Sequence, residues 1–179
     1  MKIIETGLKG CFLLHPIVHR DIRGSFVKIF QKEHFVDMGF ETEFSEEYFS
    51  ISKQGVVRGM HFQIPPYDHS KIVYCVYGKV FDAVVDLRAS SKTYGKYLTF
   101  ELDSDEARML YIPPGLAHGF YTISESSSMA YKVTALHSSK HDTGILWNSL
   151  GIPWPNENPI ISERDGKLIK FKNFNSPFN

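Results

Sequence analysis

The sequence predicts an all-β fold, an antiparallel sandwich or barrel with a few short helical pieces. Three observations lead there. Short runs rich in β-branched and aromatic residues recur along the chain. Clusters of Gly, Pro, Ser and Asp interrupt them about every 8–12 residues, a rhythm of stacked or rolled sheets. Only one stretch has helical spacing of its apolar residues.

Taken in order, residues 12–18 (FLLHPIV) form an apolar run before the turn-like HRDIRG. Residues 25–30 (SFVKIF) alternate, with Phe26, Lys28 and Phe30 on one face and Val27 and Ile29 on the other. Residues 32–40 (KEHFVDMGF) are the helical stretch, with Phe35 and Met38 on one side and Gly39 as a stop. Residues 56–63 (VVRGMHFQ) read as a strand with more polar groups than a sheet requires. Residues 71–87 hold two apolar runs around Tyr77-Gly78-Lys79, a hairpin signal. Strands follow at 96–102, 108–112, 118–123 and 128–134. The C-terminal IISERDGKLIKFKNFNSPFN is polar and mixed, and by default reads as a loosely attached end.

At 179 residues the chain suits one domain, residues 1–179, with a sizeable core. Lys+Arg and Asp+Glu both number 20, so the formal net charge is zero. Such a balance gives no long-range pull toward nucleic acid or an acidic membrane, although a local basic pocket can still hold phosphate. Cys11 and Cys75 sit in apolar surroundings and read as buried free thiols. No stretch approaches the roughly 18 apolar residues of a membrane span, and the N-terminus lacks a signal-peptide core, so a cytoplasmic protein is expected. The chain shows no internal repeat, linker or low-complexity segment.

His61 has three possible fates: metal ligand, proton-transfer base, or packed residue. IPPGLAHGFYT (112–122) carries P-x-G-x-x-H and resembles the second signature of the cupin superfamily. A metal cupin also needs H-x-H, and this chain has His61-Phe62-Gln63. Gln63 is a poor transition-metal ligand, and His61 with His118 makes a thin set, so no metal is expected. An imidazole titrates near neutrality and can take a proton from carbon beside a carbonyl. That chemistry also needs a carboxylate to orient the base, a cation for the enolate and an acid to return a proton. The residue types for every role are present, but spacing alone does not bring them together.

Eight motifs in series narrow the choice: R-G-M-H-F-Q (58–63), P-P-x-x-x-S-K (65–71), Y-G-K-V-F-D-A-V-V-D-L-R (77–88), I-P-P-G-L-A-H-G-F (112–120), Y-K-V-T (131–134), W-N (147–148), I-P-W-P (152–155) and S-E-R-D (162–165). With D-I-R-G-S-F (21–26) before them, the chain resembles the dTDP-4-dehydrorhamnose 3,5-epimerase family of nucleotide-sugar epimerases over nearly its whole length. The resemblance implies a cupin-type double-stranded β-helix (jelly-roll) barrel and a homodimer with exchanged N-terminal strands. It also implies a nucleotide diphosphate-sugar substrate, with neither cofactor nor metal.

By the same resemblance His61 is the catalytic base and Asp165 the carboxylate that orients it, which gives the polar tail a reason to fold over the barrel. Tyr131 is the general acid, and Lys71 the cation beside the C4 oxygen. Arg23 and Arg58 hold the diphosphate with forked donors, and Gly59 lets backbone approach there. His118 contacts substrate, and Phe26, Lys28, Glu46, Tyr48, Gln63, His137, Asp142 and Arg164 fall among the substrate-binding positions. Asp82 and Asp86 read as hairpin structure, with Arg88 pairing to one of them.

Several outer positions depart from the family's pattern. Lys28 replaces a glutamate, Glu46 and Tyr48 replace Gln and Asn, and His69 replaces a glutamine. His137 replaces a tyrosine, Asp142 a glutamate and Arg164 a lysine. Lys28 and Glu46 read as an exchanged charge pair. The expectation is a retained diphosphate and 4-keto-sugar site with altered base or sugar specificity. The competing readings are a mono-epimerase on a CDP- or GDP-sugar, a non-catalytic nucleotide-sugar-binding cupin, a 3,4-ketoisomerase and a metal-dependent oxygenase.

Overall fold

The computed structural model describes residues 1–179. Thirteen strands dominate it. They are β1 (Lys2–Glu5), β2 (Phe12–His15), β3 (Val18–Asp21), β4 (Gly24–Val27), β5 (Glu46–Lys53), β6 (Val57–Gln63), β7 (Lys71–Tyr77), β8 (Lys79–Asp86), β9 (Tyr97–Asp103), β10 (Met109–Ile112), β11 (Leu116–Thr122), β12 (Ser126–Val133) and β13 (Asp142–Gly144). The helices are α1 (Lys32–Asp37) and the single turn α2 (Glu163–Gly166). Six strands form one antiparallel sheet in the order β1-β2-β10-β7-β12-β5, and five form a second in the order β13-β6-β11-β8-β9. β3 and β4 pair only with each other. No helix is long and apolar enough to cross a membrane.

The two large sheets face each other across a core that includes Val73, Cys75, Val80, Val84, Leu110, Phe120 and Met129. Each sheet's outer face is also covered over part of its area. α1 drives Phe35, fully buried, onto Leu14, Ile72, Tyr74 and Met109 of the six-stranded sheet. The five-stranded sheet is covered by the C-terminal region through Trp147, Ile152, Trp154 and Phe178. Cys11 and Cys75 are buried and unpaired, and burial pushes both thiols up to about 12.

Three expectations need correction. Residues 12–18 are not one strand, because Pro16 fixes its backbone and offers no N–H, so the run breaks into β2 and β3. Residues 71–87 are not a hairpin, since β7 bonds to β10 and β12 while β8 bonds to β9 and β11. Gly78, at φ +79°, turns the chain from one sheet to the other, and a Cβ there would lie 2.2 Å from the Ser126 carbonyl oxygen. The alternate residues Val73, Cys75, Val80 and Val84 all point into the space between the sheets, and that pattern is common to a hairpin and a sheet-to-sheet corner. Finally, the C-terminal end is firmly attached. Val57 donates to the Ile160 carbonyl at 2.9 Å, Leu146 to that of Ile169 at 2.8 Å and Ala89 to that of Phe178 at 2.9 Å.

Candidate active site

The barrel opens at one end into a cleft with two lobes. The outer lobe, about 340 Å³, is lined among others by Glu46, Tyr48, His69, His137, Asp142 and Arg164. The inner lobe, about 180 Å³, is lined by Ser50, Arg58, His118, Phe120 and Tyr131. Tyr48, His61 and Lys71 line both. The two lobes therefore form one elongated site, with His61 and Lys71 where they meet.

His61 stands on β6, and its Nε2 lies 2.8 Å from Oδ1 of Asp165. Asp165 comes from α2, whose Ser162 caps the turn by accepting from the Asp165 N–H at 3.0 Å. Burial alone would raise the Asp165 carboxyl, but the His61 hydrogen bond and charge, with the Gly59 N–H at 3.3 Å, hold it below the usual range. The carboxylate is 3% exposed, so it is fixed as a partner for the imidazole. Sequence distance hides this pairing, because 104 residues separate the two partners.

Gly59 makes a close approach, but to a neighbouring strand rather than to a ligand. A Cβ at Gly59 (φ +143°) would meet the Gly119 Cα at 2.5 Å, and one at Gly119 would meet the Gly59 Cα at 3.0 Å. This contact seats β6 against β11 so that His61 pairs with His118 in register. His118 Nε2 in turn lies 2.7 Å from Oδ2 of Asp82. Asp82 is thus no hairpin residue; burial raises its carboxyl pKa against the opposing effect of His118. The two-residue spacing from Val80 to Val84 was the available signal, because it points Asp82 inward with them. Asp86, by contrast, pairs with Arg88 at 2.9 Å, outside the cleft.

The facing sheet supplies the other two groups. Lys71 of β7 is 8% exposed and donates to the His61 carbonyl at 3.3 Å. Burial lowers its ammonium to about 8, partly offset by the charge of Asp142. Tyr131 of β12 stacks on Tyr48 of β5, with centroids 4.9 Å apart and planes at 18°. Burial raises its hydroxyl far above the ordinary phenol value. Tyr131 therefore carries its proton at neutral pH. Arg58 is held to β5 through Ser52 Oγ at 2.9 Å and the Ile51 carbonyl at 3.1 Å. Its side chain remains exposed at the inner lobe.

In the outer lobe, Asp142 and Arg164 form an ion pair at 2.7 Å, and Glu46 accepts from the His137 N–H at 3.0 Å. Burial lowers His69 to about 4, so it is a neutral imidazole. Gln63 departs from its expected role. Its amide nitrogen donates to the carbonyls of Tyr67 at 3.0 Å and Leu136 at 3.1 Å, and its oxygen accepts from the Ser138 N–H at 2.6 Å. Those contacts occupy its donors, so it borders the cleft as a brace rather than a ligand.

Arg23, Phe26 and Lys28 are not in the cleft of this chain. They lie on or just beyond the β3–β4 hairpin, whose strands pair only with each other, with Arg23 paired to Asp21 at 2.5 Å and Phe26 64% exposed. Lys28 lines a separate hollow with Ile17, His34 and Phe35. It therefore makes no pair with Glu46 here. No group of three or more His, Cys, Asp and Glu side chains is placed to hold a metal ion.

The arrangement can move protons. An imidazole with a fixed carboxylate stands on one sheet, a protonated phenol and a buried ammonium stand on the other, and a small ring fits between. The dTDP-4-dehydrorhamnose 3,5-epimerase family model matches residues 5–173. A dTDP-4-dehydrorhamnose 3,5-epimerase from Shigella flexneri is 39% identical, over 96% of each chain. A dTDP-6-deoxy-D-glucose-3,5-epimerase from Legionella pneumophila, solved with dTDP-4-keto-L-rhamnose, superposes with a TM-score of 0.94 at 31% identity, covering 99% of this chain and 98% of that one. A dTDP-4-dehydrorhamnose 3,5-epimerase from Bacillus anthracis, solved with TDP and PPi, gives a TM-score of 0.90 at 37% identity, over 93% and 97% of the respective chains.

Proposed function

The chain belongs to the dTDP-4-dehydrorhamnose 3,5-epimerase family, and on that footing we propose that it inverts C3 and C5 of a dTDP-linked 4-keto-6-deoxyhexose. The observation that carries this reading is the placement of His61 with Asp165 on one sheet and Tyr131 with Lys71 on the facing sheet, around one cleft. The 4-keto group acidifies the hydrogens on both neighbouring carbons. His61, as the neutral imidazole, takes one of them, and the electron pair moves onto the C4 oxygen. Asp165 stabilises the imidazolium that forms. Lys71 stands beside the enolate oxygen, where its charge is worth more than in water because the side chain is buried. Tyr131 gives its proton to the other face of the carbon, and the C4 carbonyl re-forms. His61 then releases its proton to solvent and Tyr131 takes one up, and repetition at the second carbon completes the reaction with no net redox change.

Arg58 binds the diphosphate, and the outer lobe receives the nucleoside. In a homodimer with exchanged N-terminal strands, the β3–β4 hairpin carries Arg23 and Phe26 to the cleft of a second copy. Its exposed Ile17, Ile22 and Phe26 support that reading, because a hairpin bare of partners has little else to bury them against. The enzyme acts in the cytoplasm, in deoxysugar biosynthesis that feeds a surface polysaccharide such as lipopolysaccharide or capsule. The test is NMR of dTDP-4-keto-6-deoxyglucose incubated with the protein in deuterated water. Deuterium at both C3 and C5 is expected. Its absence from both overturns the proposal, and incorporation at one carbon alone makes the protein a mono-epimerase.

A further inference from the structure

We propose that Gln63 is a positioning residue that fixes the nucleoside end of the cleft by clamping two loops together. The inference rests on the reading of the outer lobe as the nucleoside site. Gln63 closes β6, is 5% exposed, and lies two residues from His61 on the same face of the strand. One loop, residues 64–70, joins β6 to β7 and ends at Lys71; the other, residues 134–141, joins β12 to β13 and ends at Asp142. Both Gln63 amide hydrogens go to main-chain carbonyls, one in each loop, and its oxygen takes the Ser138 amide. A primary amide alone among the side chains offers two coplanar donors beside an acceptor, as this junction demands.

The clamp bears on binding because of what the loops carry. His69 comes from the first, Ala135 and His137 from the second, and all three line the outer lobe. His69 Nδ1 lies 2.9 Å from the Tyr67 carbonyl, the same oxygen that Gln63 engages. With Nδ1–H donating there, Nε2 is left as an acceptor. Tyr67 and His141 add a tilted ring contact between the loops, centroids 4.6 Å apart, and the Ile64 N–H donates to the His141 carbonyl at 3.0 Å. None of these contacts involves Asp165 or Tyr131. Loss of the clamp should therefore loosen nucleotide binding far more than it slows proton transfer.

Gln63→Glu has the same shape but turns one donor into a charged acceptor facing two carbonyls. Calorimetric titration with dTDP, steady-state kinetics and hydrogen exchange at the Ser138 amide, each on wild type and variant, test the idea. The wild-type Ser138 amide should exchange at least about a hundredfold more slowly than in an open chain. In Gln63→Glu that protection should fall, with Kd for dTDP and KM both rising by about tenfold or more while kcat stays within about threefold. An unprotected Ser138 amide in the wild type overturns the proposal, whether or not any variant folds. So does weakened binding with Ser138 protection intact, which would make Gln63 a direct ligand, and so does lost protection with unchanged Kd. A wild-type protein that binds another nucleotide in place of dTDP overturns the substrate assignment instead, and the clamp is then judged with that nucleotide.

Discussion

On the proposed mechanism, Lys71 sets the alkaline limit of catalysis. Burial brings its ammonium down to about 8. Against the ordinary lysine value, that amounts to about 3 kcal/mol of unfavourable desolvation carried by the charged form. An enolate oxygen placed next to it recovers part of that cost in the transition state, and a neutral amine cannot. With a pKa of about 8, roughly 90% of the free enzyme holds the charge at pH 7 and roughly 10% at pH 9. The rate constant kcat/KM, which reports the free enzyme, should fall about tenfold across that interval. Carbon–deuterium exchange of the 4-keto sugar, followed by NMR between pH 6 and about 9.5, measures it. The sign of the stability effect separates this limb from unfolding. A lysine depressed by folding burdens the native state while charged and relieves it as pH rises through about 8, so through Lys71 stability increases where activity falls. Lys71→Arg should lose the limb, and Lys71→Met should lose activity by about a hundredfold or more at pH 7. A wild-type profile flat to about pH 9.5, or a Lys71→Met profile with the same limb, refutes the reasoning.

Three further outcomes follow from the same geometry. Tyr131→Phe removes the buried phenol that the six-stranded sheet turns toward the inner lobe, so deuterium should wash into the substrate carbons while the inverted product stays absent; normal product formation would assign the acid elsewhere. Asp165→Asn should cut turnover by about 10²–10⁴-fold, and it should remove stability that the wild type has at neutral pH and loses as acid titrates its lowered carboxyl, visible in thermal melts from pH 7 down to about 3. Gly59→Ala drives a methyl into the Gly119 backbone in a left-handed conformation, and should cost about 3 kcal/mol, a Tm loss of roughly 6–12 °C; an unchanged Tm would mean that β6 and β11 need no close contact.

Period-two patterning made most of the barrel legible, because residues on both sides of the central strands are apolar and the turns between them are rich in Gly, Pro and Ser. It could not say which strands pair. β7 and β8 follow each other closely yet belong to different sheets, and local pattern is the same either way. β5 escaped notice because EEYFSISK mixes charges and serines with exposed Phe49 and Ile51. At the site, residue types and motif order pointed to His61, Lys71, Tyr131 and Asp165, and the fold brings all four to the cleft. What the sequence hid was how the polar groups are spent. Gln63 looked like a ligand and is used up on main chain, while Asp82 looked structural and holds His118.

The departures from the family's pattern do not carry equal weight once the side chains are placed. Asp142 is one methylene shorter than the glutamate of that pattern, and Arg164 reaches further than the lysine. The two meet at 2.7 Å, so the shorter acid and the longer base offset each other within one ion pair at the lobe's edge. They are a single substitution in physical terms and give little reason to expect a different base. Glu46 is another matter. Its carboxylate replaces a group that both donates and accepts with one that only accepts, and a main-chain N–H at His137 already engages one oxygen. Lys28 offers no compensation within this chain, since it lies in the hollow beneath the hairpin. Any shift in nucleotide preference therefore rests on Glu46 and on Tyr48, His69 and His137, which line the same lobe. Titrating dTDP and CDP into wild type and Glu46→Gln isolates that contribution. If Glu46 tunes the base, the variant should gain affinity for dTDP relative to CDP. An unchanged ratio would leave Glu46 without effect on base choice.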